Sequence, residues 1–228
     1  TSRGLGDVYK RQDIVRVNSS ADAPGIDVLS EYQMIIWVCG TDYQSGDTDV
    51  TFTDNDKSNV AEYLEGGGAM WVIGMDILYD FDTSDGDRSE GDFEHDYLGV
   101  SYADNDRATP AVVYGVDDDP ISDGIEYNAD AISSDFADDI NPRSGFEKVL
   151  SSNGDYNIST IRTEDEFKLV FMTIDFSSIT SSDDRDEFME NVVEYLVEQL
   201  ENDVSLSRFN TPVDLSLIHI SEPTRRVF

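Results

Sequence analysis

Residues 13–201 predict an α/β domain, a three-layer sandwich built on a mainly parallel sheet. Three observations carry that prediction. Two continuous apolar runs, Tyr32–Gly40 and Ala69–Gly74, each end in glycine, as suits strands buried on both faces in a parallel sheet. The segment between them has helical periodicity, so strand, helix and strand make a βαβ unit with a right-handed crossover. A third apolar strand, Lys168–Phe176, runs into the best amphipathic helix, Asp183–Leu200, whose Phe188, Val192, Val193, Leu196 and Leu200 share one face.

The remaining elements follow in chain order. Ile14–Val17 reads as a short strand remnant, in a sheet truncated at its N-terminal strand. From Thr53 to Glu65 the chain reads as a helix: Thr53 can cap it, Asp56 lies three residues on, and Val60, Ala61 and Leu64 form its apolar stripe. Gly66, Gly67 and Gly68 stop it. They do not form a phosphate cradle, because phosphate loops follow a strand and open a helix, the reverse of this order. Residues 82–92 read as a surface loop, Phe93–Leu98 as a short helix and Ala111–Gly115 as a strand. The rest of 100–165 is loop-rich, 202–214 reads as a linker, and no internal repeat is present.

The two ends are related to each other at the DNA level. With Gln12 read as CAG, the reverse complement CTG encodes Leu215; Arg11 as AGA gives Ser216. The complementarity continues with legal codons through Lys10 to Ser2, yielding Leu217 to Arg225, eleven residues in register. The string LSLIHISEPTR also resembles the translation of a transposase adapter used in shotgun library preparation. Residues 1–12 and 215–228 are therefore read as adapter and set outside fold reasoning.

The chain has fifteen basic and 49 acidic residues. Less the five basic and two acidic ones of the ends, ten and 47 remain, a net charge of −37. Such a balance repels nucleic acid and anionic membranes, since phosphate binding needs clustered Lys and Arg. It also strains the compact state unless salt or divalent cations screen it, which fits a halophilic or calcium-rich extracellular setting. Regular apolar strands and many aromatics argue for folding over acidic disorder. Cys39 is the single cysteine, so no intramolecular disulfide forms. No apolar run reaches the roughly 18 residues of a membrane span.

Several motifs invite chemistry. Asp54, Asp56, Ser58, Val60, Glu62 and Glu65 imitate the spacing of a calcium-binding EF-hand loop. Asn59, however, stands where the sharp turn needs glycine, and the apolar stripe favours a capped helix. Gly74-Met75-Asp76 ends a buried strand, where open α/β sheets place ligands. A nucleophile elbow carries Ser or Cys there, and Met75 in the elbow slot cannot attack. Asp76 could bind a cation or orient a ligand; a turn or N-cap carboxylate is the plainer role. Thr41, Asp42 and Asp175, also at strand ends, complete the ligand-binding candidates. Cys39 reads as a small buried hydrophobe. His95, the one histidine of the insert, reads as a surface residue on the short helix. The clusters Asp82–Asp92 and Asp117-Asp118-Asp119 read as solvated loops, with weak divalent binding as the alternative.

Taken together, the words IIWVCGTDY, NVAEYLEGGGAMWVIGMDILYDF, DYLGVSY, DDDPISDGI and KLVFMTIDF, followed by the last helix, resemble the class I glutamine-amidotransferase-like (flavodoxin-like) domain. This domain occurs inside large secreted bacterial and archaeal proteins, often beside peptidase domains. The resemblance covers most of 13–201 and implies the fold and an extracellular or cell-surface location. It also implies one more strand, upstream of Ile14. Amidotransferases of this class carry an elbow Cys and a His-x-Glu pair after a late strand. Here the late strand runs into Asp175-Phe176-Ser177-Ser178 without His, which argues against that chemistry.

The expected function is accordingly a non-catalytic accessory or interaction domain, partnered by neighbouring domains of its parent protein, with no nucleic acid and no membrane insertion. The alternatives are a hydrolase or amidotransferase-like enzyme and a cation- or carbohydrate-binding module. No catalytic residue is assigned, no cofactor is required, and calcium is the one candidate ligand ion.

Overall fold

A computed structural model describes residues 9–17, 21–40, 51–108, 111–130, 137–152, 157–163, 167–202 and 215–221. In chain order the elements are β1 (Tyr9–Arg16), α1 (Ile26–Leu29), β2 (Met34–Gly40), α2 (Asp54–Glu65), β3 (Ala69–Gly74), α3 (Ile77–Phe81), β4 (Gly86–Asp87), α4 (Phe93–Asp96) and β5 (Val100–Ala108). They continue with β6 (Val112–Gly115), β7 (Glu126–Asn128), β8 (Ala137–Pro142), β9 (Phe146–Ser152), β10 (Asn157–Thr163), β11 (Lys168–Met172), α5 (Ser182–Asn202) and β12 (Leu215–Ser221).

The main sheet has the order β1-β12-β2-β3-β11-β10-β9-β6-β7, and β4-β5-β8 form a second, smaller sheet. The fold is α/β, and its main sheet is mixed. From β1 to β11 every neighbour pair is parallel; from β11 to β7 every pair is antiparallel. Connection length explains the change. Four residues separate β9 from β10, and four separate β10 from β11, whereas a parallel return needs a dozen or more. Sequence reading found the apolar strands and β6 but missed β4, β5, β7, β8, β9 and β10. Runs such as VSYADNDRA and NISTIRT lack the continuous apolar character that marks a strand buried on both faces.

Alternation along the three central strands sends side chains into two separate cores. Ile35, Trp37, Met70, Val72, Leu169 and Phe171 join one cluster, with Val60, Tyr63 and Leu64 of α2. Met34, Ile36, Trp71, Ile73, Val170 and Met172 join the other, with Phe188, Val192 and Leu196 of α5. Each fully buried large side chain of this kind contributes roughly 1.5–3 kcal/mol, which is why these strands read as unbroken apolar runs.

The segment with EF-hand-like spacing is a helix. Thr53 Oγ1 accepts from the Asp56 N–H at 3.1 Å, and the Asp56 carboxylate accepts from the Thr53 N–H at 3.0 Å, a complete capping box. After the helix, Gly68 is required by packing. A Cβ there would lie 2.2 Å from the Tyr63 ring, which crosses over to donate to the carbonyls of Tyr32 and Ala69.

β1 begins at Tyr9, within the stretch read as adapter. The slot between β1 and β2 holds β12, also in a segment read as adapter. Its Leu217–Ser221 run beside Met34–Val38, and Leu215–Ser221 run beside β1. β1 and β2 do not pair with each other. No helix among the described residues is long and apolar enough to cross a membrane.

Candidate functional site

Parallel strands β2, β3 and β11 lie side by side and end together. Gly40 stands opposite Gly74, and Ile73 stands opposite Met172. Asp76 lies three residues past Ile73, and Asp175 three past Met172. The register thus carries both carboxylates off neighbouring strands at one level of the C-terminal edge, where α/β sheets bind ligands. Thr41 and Asp42, the candidates that follow β2, lie outside the described residues.

Asp76 has φ 60° and ψ 4°, a left-handed conformation that costs a non-glycine residue about 1–3 kcal/mol. Together with Asp118 it is one of two non-glycine residues with positive φ among those described. A strained residue between a buried strand and a helix is the geometry of a nucleophile elbow. The structure therefore puts the elbow one residue later than the sequence placed it, at Asp76 and not at Met75. Periodicity locates a strand end only to within a residue or two, so the left-handed position could not be read from the sequence. Met75 is buried. Asp76 stands at the N-cap position of α3, but its side chain makes no cap hydrogen bond to that helix, so the plain capping role does not account for its carboxylate. The residue is only 3% exposed.

Asp175 has a structural task. Its carboxylate accepts from the Ser177 backbone N–H at 3.3 Å and from the Ser177 hydroxyl, capping the 3-10 turn Phe176–Ser178. Asp138, which the sequence did not single out, is fully buried on β8. Its carbonyl accepts from Thr173 Oγ1 at 2.9 Å, which seats β8 against the end of β11. Within the acidic run Asp138-Asp139, nothing in the sequence marks one aspartate as interior.

Cys39 is buried, its Sγ 3.9 Å from the Thr51 carbonyl, and a Cβ on Gly74 would lie 2.7 Å from its own Cβ. It packs as the small hydrophobe the sequence suggested. Nearby, Thr51 donates its N–H and hydroxyl to Asp80 at 2.6 and 2.8 Å, and Phe52 stacks on Trp37 at 4.5 Å between centroids. These contacts tie the chain after β2 to α3 beside the elbow.

His95 lies on α4, half-buried, its Nδ1 2.7 Å from Asp96 Oδ1. Burial raises the Asp96 pKa, but the hydrogen bonds from His95 and the Gly91 N–H, with the charges of His95 and Arg143, outweigh it. The net effect holds that carboxyl below its ordinary value.

The other acidic clusters are less solvated than expected. Asp119 is buried: Oδ1 accepts from the N–H groups of Ile121 and Ser122, and Oδ2 accepts from Arg162 Nε at 2.7 Å. Within 82–92, Arg88 is buried against Glu94 at 3.4 Å, and Gly86–Asp87 forms β4, paired with β5. Among the described residues no group of three or more His, Cys, Asp or Glu could hold a metal ion.

No protein-family model matches this chain, and no curated protein matches it in sequence. Solved structures do resemble it. A ThuA-like protein from Bacteroides uniformis aligns over 87% of this chain and 94% of its own, with a TM-score of 0.57 and 11% identity. A GMP synthase subunit from Thermoplasma acidophilum aligns over 85% of this chain and 98% of its own, with a TM-score of 0.50 and 10% identity. At such identities the likeness concerns the α/β fold alone.

Proposed function

We propose that residues 13–201 are a non-catalytic accessory domain of a larger secreted protein, a three-layer sandwich flanked by adapter sequence at both ends. The observation that supports this reading is the elbow itself. At the strained strand-to-helix turn found among the described residues of the parallel half, the chain carries Asp76, whereas acyl transfer needs Ser or Cys there. Cys39 sits on the neighbouring strand with its sulfur toward the Thr51 carbonyl, and His95 is paired with Asp96. Nucleophilic catalysis instead calls for a base within hydrogen-bond reach of the attacking atom. Purified protein, assayed against glutamine and simple esters, is expected to show no turnover. Turnover that disappears in Cys39→Ala overturns the accessory reading.

The buried carboxylate of Asp76, level with that of Asp175 at the neighbouring strand end, supports a second reading, a cation-binding module centred on the strand ends. Calorimetric titration with calcium distinguishes it: saturable binding that is lost in Asp76→Asn supports the module, and heats of dilution alone support the accessory domain.

A further inference from the structure

Glu65, Glu187, Asp22, Asp56 and Asp85 each reach across to another part of the chain and meet an uncharged donor. Glu65, at the end of α2, accepts from the Tyr97 hydroxyl just past α4 at 2.5 Å. Glu187 of α5 accepts from the Tyr127 hydroxyl of β7 at 3.0 Å. Asp22 accepts from the Thr53 hydroxyl at 2.7 Å and the Asn55 amide at 2.8 Å. Asp56 accepts from the Ala23 N–H at 2.8 Å, and Asp85 from the Asn105 N–H at 2.9 Å. None of these carboxylates stands in an ion pair among the described residues, where such pairs involve Asp82, Glu94, Asp96 and Asp119.

The guanidiniums go largely to backbone carbonyls instead. Arg88 donates to Gly86 and Ser84, Arg143 to His95 and Asp96, and Arg185 to Ile179. Where arginine does meet a carboxylate closely, at Asp119 and Glu94, both side chains are largely buried, and salt screens buried pairs much less than exposed ones. The bonds to Asp22 and Glu65, in contrast, are exposed, and there the donors are neutral.

That division has a physical consequence. An exposed ion pair draws on the attraction of two unit charges, and at 1 M salt the Debye length is only about 3 Å. A phenol or an N–H has no net charge, so its bond to a carboxylate rests on direct contact and outlasts screening. The ionised acceptor also makes the bond stronger than one between neutral groups. We propose that these neutral-donor bonds are a salt-tolerant set of tertiary ties, and that the domain is built to keep its fold in molar monovalent salt. Net charge by itself fits concentrated salt and calcium equally, since either screens it. Ties that outlast screening are of use in the first setting.

Double-mutant cycles read the ties directly. Tyr97→Phe and Glu65→Ala are made singly and together. Urea unfolding is followed at the lowest sodium chloride concentration in which the parent chain is folded, and at about 3 M, where screening is nearly complete. Tyr97→Lys, with and without Glu65→Ala, supplies an ion pair at the same place for comparison. The Tyr97–Glu65 coupling is expected to be about tenfold in the unfolding constant, as for a hydrogen bond to a charged group, and to change by less than about twofold between the two salts. The lysine coupling is expected to fall to near unity at the higher salt, as a screened surface pair does. Couplings that respond to salt alike, whether both fade or both persist, overturn the proposal, as does a phenol coupling absent at both salts. Tyr127→Phe and Glu187→Ala repeat the cycle on a second tie. Where Tyr97→Lys does not fold, the survival or loss of that second coupling at the higher salt decides.

Discussion

Gly74 and Cys39 face each other across neighbouring strand ends so closely that a Cβ on Gly74 would lie 2.7 Å from the Cβ of Cys39. The close approach draws β2 and β3 together just before the elbow at Asp76. Gly74→Ala is expected to destabilise the fold by about 1–3 kcal/mol, the range for overpacking a filled core. The offending atom is a Cβ, so Cys39→Ala should give no relief, whereas Cys39→Gly should restore part of the loss. Denaturant melts of the single and double variants measure this, and a neutral Gly74→Ala would refute the packing argument.

Asp119 and Arg162 make a second long-range tie. Their ion pair at 2.7 Å joins the 116–123 turn to β10 with both side chains largely buried, at 3% and 12% exposure. Removing one partner of such a pair strands the other, at a cost of about 3–5 kcal/mol. Asp119→Ala should approach that range. Asp119→Asn, which keeps an acceptor oxygen for the Ile121 and Ser122 N–H groups, should cost less. Equal losses in the two variants would show that charge alone matters there.

Tyr97 supplies a pH dependence. Its hydroxyl donates to Glu65 Oε1 at 2.5 Å. That bond, then burial and the charges of Glu65 and Asp96, push the phenol up to about 12 from an ordinary 10.0. A pKa raised in the folded state contributes stability that is complete below the unfolded value and is lost as pH rises through the folded one. The Tyr97 contribution should therefore fade between pH 10 and 12. The Tm difference between the parent chain and Tyr97→Phe is expected to shrink across that window, and a constant difference would contradict the assignment.

What could be read from sequence divides along physical lines. β2, β3 and β11 announce themselves because parallel strands covered on both faces must be apolar at every position. α2 does so because Thr53 and Asp56 stand at cap spacing before an apolar stripe. β8, β9 and β10 escape because strands such as ADDINP and FEKVLSS mix charges with apolar positions. Of the site, Asp76 and Asp175 were legible as strand-end carboxylates. The left-handed backbone of Asp76 and the burial of Asp138 were not, since both arise from tertiary contacts. Asp119 misled for the same reason: a run of three aspartates looks solvated until Arg162, far along the chain, arrives beside one of them.

Charge governs the last prediction. The chain carries a formal −34, and even its buried ion pairs leave most carboxylates repelling one another. Screening weakens as salt falls, the Debye length growing from about 3 Å at 1 M to about 30 Å at 0.01 M. Like-charge repulsion is weaker in the expanded unfolded chain, because the charges lie farther apart, so salt should favour the compact state. Tm is expected to rise by about 5 °C or more between roughly 0.01 and 1 M sodium chloride. Calcium at matched ionic strength separates screening from site binding. An added rise with calcium that Asp76→Asn removes would mark a site at the strand ends, and an added rise that survives the substitution would place the ion elsewhere. A melting temperature indifferent to both salts would mean that the acidic surface imposes no strain on the fold.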